Sequence, residues 1–292
     1  MEKADESIAH DLSPFLRIYK DGRVERLIGK DVVPPSKEPT SPGLSKDVAI
    51  SPEPTVSVRL YLPNNPPPSS SKLPVLVYFH GGGFMIGAAV SSTYHNYLNV
   101  LAVEARVIIV SVEYRLAPEC PIPAAYDDSW AAIKWVGSHF SGLGYEEEIK
   151  LSNGTGIGFE LAGLILVHPY FWGNDPLEDE ATEPEKLAKI EIWWRLANPT
   201  TTGFDDPYFN PGKDLGILRM GCSRILACVA KKDELRARGW YYKEVMEKSR
   251  WEGEVEVMEA NGEDHVFHLI NPTSENAIAM MKRLVEFMND HR

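Results

Sequence analysis

A short apolar run, Leu73-Pro-Val-Leu-Val-Tyr-Phe-His80, stops abruptly in Gly81-Gly82-Gly83-Phe84, and this junction constrains the chain more than any other stretch. Val75–Phe79 is almost wholly apolar and rich in β-formers, as expected of a parallel strand covered on both faces. The three glycines leave backbone N–H groups that no side chain shields, so the main chain can approach a ligand oxygen and donate to it. Donors of this kind stabilise the oxyanion of a tetrahedral intermediate. Gly81, Gly82 and Gly83 are therefore candidate oxyanion-hole residues, with His80 as the head of the motif. The plainer alternative is a flexible surface turn.

Strands and helices alternate from this point. Residues 92–104 carry Tyr94, Tyr97, Leu98, Leu101 and Ala102 at helical spacing, and 107–112 is a β-branched run that reads as a second buried strand. Residues 123–140 read as a helix with Pro123 in its first turn. The rhythm resumes with strands at 161–167, Arg224–Ala230 and 255–259, a helix at 235–248, and a last helix at 274–288 that starts on a Ser cap. That last helix sets Ala277, Ile278, Met281, Leu284, Val285 and Met288 on one stripe. Such alternation predicts a mostly parallel sheet with helices on both faces. Upstream, 15–27 reads as a hairpin turning at Asp21-Gly22, 31–55 as a Pro- and Ser-rich surface loop, 56–62 as a strand and 63–72 as a connector. The long region 168–221, with Trp172, Trp193 and Trp194, reads equally as a roof over a pocket or as ordinary core.

Composition narrows the partners. At 292 residues and 43% hydrophobic content the chain can bury a large core, and one domain is expected. A net charge of -12 disfavours nucleic acid and anionic membrane surfaces, which leaves a small molecule as the expected partner. Three cysteines, Cys120, Cys222 and Cys228, have no metal-ligand spacing and an odd count, so neither a disulfide framework nor a metal site is expected. This usage, the absence of an apolar leader in 1–11 and the absence of any membrane-length run point to a cytoplasmic protein. No cofactor motif is present, and no cofactor is expected.

Six motifs then resemble one family. His80-Gly-Gly-Gly-Phe84, Val112-Glu-Tyr-Arg-Leu-Ala-Pro-Glu119, Pro121-Ile-Pro-Ala-Ala-Tyr-Asp-Asp128, His168-Pro-Tyr-Phe-Trp-Gly173, Asp206-Pro-Tyr-Phe-Asn-Pro211 and Gly262-Glu-Asp-His265 are similar to those of plant carboxylesterases of the hormone-sensitive-lipase type. The resemblance covers most of the chain. It implies an α/β-hydrolase fold over 1–292, with an N-terminal hairpin and wrap at 1–72 and a catalytic core at 73–292. It further implies hydrolysis of carboxylic esters by a Ser-Asp-His triad, without cofactor or metal, on a small-molecule ester. A hormone-like ligand is the alternative, because relatives include gibberellin receptors.

By this resemblance Asp233 matches the triad acid and His265 the base. Each follows a strand of the parallel pair at Arg224–Ala230 and 255–259, at the carboxyl ends where such sheets place ligands. A carboxylate there orients an imidazole and stabilises its charged form. Without the resemblance, Asp233 reads as an N-cap and His265 as a surface loop histidine. Asp264 and His268 are read as neighbours.

The nucleophile departs from the family pattern. The family carries Gly-Asp-Ser-Ala-Gly on a sharp turn between the central strand and the next helix, and no Gly-x-Ser-x-Gly occurs in this sequence. Residues 141–160 fall where the elbow belongs, yet strand, turn and helix together need about 30 residues. Ser152 has Gly154 on one side but Lys150 in the other glycine position, and Glu146-Glu147-Glu148 before it suits no buried strand. Ser152 is thus a poor nucleophile candidate, and the central strand and helix read as deleted. Either the chain truly lacks them or an internal piece of a normal esterase has been lost from this gene model or splice product. Three functions follow: an esterase-family member without its nucleophile, a small-molecule binder, or a non-functional truncated product.

Overall fold

The computed structural model describes residues 7–36, 42–64, 73–140, 161–177, 180 and 182–290. They fall into two units, Met1–Phe159 with Leu196–Pro199 and Glu160–Arg195 with Thr200–Arg292.

The first unit begins with three antiparallel strands, β1 (Ile8–Leu12), β2 (Leu16–Tyr19) and β3 (Val24–Arg26). Gly22 turns the β2–β3 hairpin at φ 86°, a left-handed conformation that costs glycine nothing. A four-stranded sheet follows. It contains β4 (Gly43–Pro52), β5 (Thr55–Pro63), β6 (Val75–Phe79) and β7 (Ile108–Glu113) in the order β4-β5-β7-β6. Only β6 and β7 are parallel, so the sheet is mixed.

The strand β4 corrects the expectation of a surface loop over 31–55. Its prolines and serines argue against a central strand, but it lies on the sheet edge, where a terminal Pro52 removes no needed donor. Arg59 anchors it from β5. The guanidinium is 1% exposed and forks onto Asp47 at 2.6 and 2.8 Å, with a further bond to the Val33 carbonyl at 2.9 Å.

Helix α1 (Ser92–Ala105) and helix α2 (Ala124–Phe140) cover opposite faces of this sheet. Alternate residues of β5 show why. Val56, Val58 and Leu60 join Ala125, Ala132 and Val136 of α2, whereas Arg59 and Tyr61 point to His95 of α1. Ala132 and Val136 form the buried face of α2, while Trp130 is 58% exposed.

The second unit holds a fully parallel sheet, β8 (Leu164–Val167), β9 (Arg224–Ala230) and β10 (Glu254–Ala260), in the order β10-β9-β8. Its helices are α3 (Pro184–Ala197), α4 (Arg236–Lys248), α5 (Phe267–Ile270) and α6 (Glu275–Asn289). Ile225 and Val255 pack with Tyr242 and Met246 of α4, while Glu256 of β10 takes two bonds from Arg283 of α6. The two helices therefore lie on opposite faces. Ser274 caps α6 by accepting from the Ala277 N–H, and the buried face is Ala277, Met280, Leu284 and Phe287. Ile278, placed on the stripe by sequence, is 59% exposed.

Trp172 and Trp194 are 2% and 1% exposed, and Trp194 stacks on Phe209 at 4.4 Å. Those two aromatics of 168–221 are core. The helix α3 was not expected there, although Leu187, Ile190, Trp194 and Ala197 recur at helical spacing.

Among the described residues each sheet ends on a strand with one neighbour, β6 beside β7 and β8 beside β9. The strand β6 was expected to be covered on both faces. Instead β8 is half-buried throughout, as is β6 until Phe79, which is 41% exposed, whereas β7 and β9 are almost wholly buried.

One buried ion pair supports the second unit. Arg238, 1% exposed, pairs through Nε and Nη2 with both carboxylate oxygens of Glu180 and donates to the Asp175 carbonyl at 2.9 Å. Removing one partner leaves the other charge buried and unmatched. Arg238→Met should therefore lower unfolding free energy by about 3–5 kcal/mol in chemical denaturation, and adding Glu180→Leu should recover most of the loss.

Candidate active site

In the first unit the glycine turn follows β6 directly. Gly82 and Gly83 have φ of 125° and 55°, and a Cβ on Gly82 would lie 2.0 Å from the Ile86 carbonyl oxygen. Only glycine fits there, and Met85 N–H closes the turn onto the Gly82 carbonyl at 3.1 Å. Phe84 continues it with φ 66°. His80 is packed beneath the turn. Its ring stacks on Tyr114 at 4.2 Å, its Nδ1–H donates to the Gly81 carbonyl at 2.8 Å, and the Tyr114 hydroxyl donates to the His80 carbonyl at 2.6 Å. Burial pushes the His80 imidazole down to about 4, so it is a neutral brace at physiological pH. The Tyr94 hydroxyl lies over Gly81; burial pushes its pKa up, and a main-chain hydrogen bond from Gly81 acts the other way.

In the second unit the parallel register sets the geometry. Ala230 of β9 pairs with Ala260 of β10, so both chains leave the sheet level. Their loops are then laced by Lys231 N–H to the Ala260 carbonyl at 3.0 Å and Lys232 N–H to the Glu263 carbonyl at 2.9 Å. This brings Asp233 against His265, with Nδ1 2.9 Å from Asp233 Oδ2. Asp233 is 6% exposed, whereas the His265 side chain is 47% exposed. The ring's Nδ1 is spent on the carboxylate, which leaves Nε2 to do chemistry. Asp264 caps the turn by accepting from the His265 N–H at 2.7 Å.

A second histidine, absent from the sequence reading of the site, shares the same oxygen. His168 Nδ1 lies 2.8 Å from Asp233 Oδ2, and Asp233 Oδ1 accepts from Leu235 N–H at 2.9 Å. Burial pushes the Asp233 carboxyl up, but the bonds from His168 and His265 outweigh it and hold it well below the usual carboxylate range. An ionised carboxylate has no proton to give, so both imidazoles donate. The signal for His168 was its place after the strand at 161–167, one residue past an end that faces β9. His268 stacks on His168 at 5.6 Å, and burial, then the two neighbouring imidazoles, push it down to about 3.

The ligand atoms of His168, Asp233 and His265 lie within 4.8 Å of one another, which raises the question of a metal. Tetrahedral bonds of about 2.1 Å need ligand atoms about 3.4 Å apart, and both Nδ1 protons already meet the carboxylate. The geometry is that of a hydrogen-bonded acid–base pair. Ser152 lies outside the described residues. Cys120, Cys222 and Cys228 are all free thiols, and burial pushes Cys228 up to about 12.

A family model described as alpha/beta hydrolase fold matches residues 76–158 and 146–269, and the chain has the α/β-hydrolase fold. An esterase from Pyrobaculum calidifontis superposes with a TM-score of 0.64 at 22% identity over 85% of each chain. One from Mycobacterium marinum does so at 0.67 and 21%, over 86% of this chain and 82% of that one. A probable carboxylesterase 7 of Arabidopsis thaliana is 43% identical over 314 aligned residues, covering 98% of this chain and 99% of the relative. The chloroplastic tuliposide A-converting enzyme 2 of Tulipa gesneriana is 43% identical over 97% of this chain and 79% of its own length. The chain belongs to the plant carboxylesterase family.

The depressed Asp233 carboxyl makes a stability prediction with a definite sign. A carboxyl lowered by folding contributes stability above its unfolded value, near 3.8, and loses it as pH falls toward the depressed folded value. Asp233→Asn should thus be less stable than the parent at pH ~7, and the gap should narrow steadily below pH ~4 in urea denaturation series.

Proposed function

We propose that this chain is a carboxylesterase-family protein that keeps the acid, base and oxyanion loop of an ester hydrolase but not its serine nucleophile. Asp233 is the acid, His265 the base, and Gly81, Gly82 and Gly83 the oxyanion loop, with His80 as its brace. The observation that carries this reading is the His265 Nδ1 bond to a buried Asp233 on a half-exposed ring. In a complete triad His265 Nε2 takes the proton of the attacking hydroxyl and returns it to the leaving alcohol, while Asp233 steadies the imidazolium. The partner is a small-molecule ester.

Several facts support loss of the elbow. No Gly-x-Ser-x-Gly occurs in the sequence. The family model matches in two stretches that meet at 146–158, inside the segment where the elbow belongs, rather than in one. The 314 aligned positions against the Arabidopsis relative exceed the 292 residues of this chain. The strand that would carry the elbow follows α2 and precedes β8 in chain order, and β6 and β8 each have a free side among the described residues. This reading treats 1–292 as one hydrolase domain. It also keeps the cytoplasmic expectation, although the names of two relatives place those proteins in chloroplast and mitochondrion. No described helix is long and apolar enough to cross a membrane. A hormone-like binding role is less well supported, because binding alone requires neither an ionised Asp233 nor an oriented His265.

The test is chemical. The unmodified chain should hydrolyse p-nitrophenyl acetate at close to the rate of free imidazole. Replacing 141–160 with a full strand, Gly-Asp-Ser-Ala-Gly turn and helix should bring turnover into the ordinary range of about 1–10³ s⁻¹. Adding His265→Ala should then remove about 10³-fold or more. Ordinary turnover by the unmodified chain that Ser152→Ala abolishes would identify Ser152 as the nucleophile and overturn the proposal.

A further inference from the structure

We propose that His168 is a positioning residue of the acid–base pair: it holds Asp233 Oδ2 in place and takes a share of its charge, which sets how strongly Asp233 grips His265. This rests on the reading of Asp233 and His265 as acid and base, and it adds a third member to them.

The geometry assigns the role. Oδ2 accepts from His168 at 2.8 Å and from His265 at 2.9 Å, while Oδ1 is held by Leu235 N–H at 2.9 Å. The two imidazoles stand edge-on to each other with centroids 5.2 Å apart, so neither blocks the other's approach to the shared oxygen. Their surroundings differ. The His168 side chain is fully buried, with the His268 ring parallel to it and Phe267 at its edge, whereas His265 is half exposed. One ring is fixed and the other can work.

A histidine that merely fills space explains less. His168 sits at φ 48°, a left-handed backbone that an ordinary core residue avoids, and its Nε2 meets no hydrogen-bond partner among the described residues. A phenylalanine would fill that space without burying a polar nitrogen. What the imidazole supplies is Nδ1–H at the carboxylate. The strain has a reason as well: His168 N–H still bonds the Cys228 carbonyl at 2.9 Å, so the chain must turn within one residue to aim the ring at Asp233. Asp233, His265 and His268 are the ionisable groups that meet His168.

Sharing has a consequence for His265. An oxygen that accepts two N–H bonds presents less charge to each, so removing His168 should strengthen the remaining bond while loosening the carboxylate's orientation. The experiment is proton–nitrogen NMR of the ¹⁵N-histidine-labelled chain, which needs no turnover. The parent should show two low-field Nδ1-bound protons, one from each ring. His168→Leu should lose one and move the His265 resonance further downfield. His168→Asn is isosteric with Leu but places an amide donor where Nδ1 was, and should return the His265 resonance close to its parent position.

A parent spectrum with the His168 proton on Nε2 overturns the proposal without any variant. So does a His168→Leu spectrum in which the His265 resonance stays put. Asp233→Asn separates the two levels. If it leaves both resonances unmoved, Asp233 is not their acceptor and the acid–base reading falls as well. If it moves both while His168→Leu leaves His265 alone, the pair survives and only the role of His168 is lost.

Discussion

A carboxylate taken out of water keeps its charge only where donors replace the water, and the architecture of the second unit follows from meeting that demand at Asp233. Three N–H groups converge on it, and each comes from a different element. His168 arrives from the end of β8, Leu235 from the start of α4, and His265 from the loop after β10. The parallel register is what makes this possible, because strands that end together release their loops on the same side. The backbone strain falls where the aim matters. His168 has φ 48°, and Val266, directly after His265, has the same value although a β-branched residue resists it. Strain at two turns that point imidazoles at one carboxylate is the kind that packing must sustain for a purpose.

The glycine turn of the first unit is held by a different principle. Its backbone angles demand glycine, and bare glycines would be loose in water. Rigidity is supplied from below by His80 and Tyr114, whose stacked rings and paired hydrogen bonds fix the carbonyls at the start of the turn. The turn is thus braced from below by packed rings, a rigidity that the oxyanion role proposed for it would use. The neutral state of His80 belongs to this design, since a charged ring beneath the loop would have to be hydrated.

Much of this was legible from residues alone. The strands β6 and β9 fall where their apolar runs predict, and Ser274 caps α6 as its position indicates. Asp233 and His265 were placed by resemblance, and the distance between them is a matter of geometry. What escaped did so for physical reasons. The edge strand β4 is stabilised by pairing with β5 and by the Arg59–Asp47 fork, neither of which leaves an alternating signature in a Pro- and Ser-rich segment. The helix α3 is mostly charged on its surface and gains its order from tertiary contact through residues such as Trp194. His168 was quoted as part of a motif without a role, because periodicity says nothing about which way a residue just past a strand will turn.

The half-burial of β6 and β8 links fold and function. An apolar strand such as Val75–Phe79 has the composition of an interior strand, and its neighbour β7 is buried as composition predicts. Composition reports the environment for which a sequence was shaped; burial reports the one it occupies. Among the described residues the two disagree at β6, whose outer side has no neighbour, and that disagreement supports the proposed loss of a strand. The Asp233–His265 pair tells the same story from the chemical side. Holding a buried anion and a strained turn costs stability, and a protein that had long ceased to transfer protons would gain by relaxing both. Their retention with intact geometry supports the hydrolase reading proposed above over a role in binding alone.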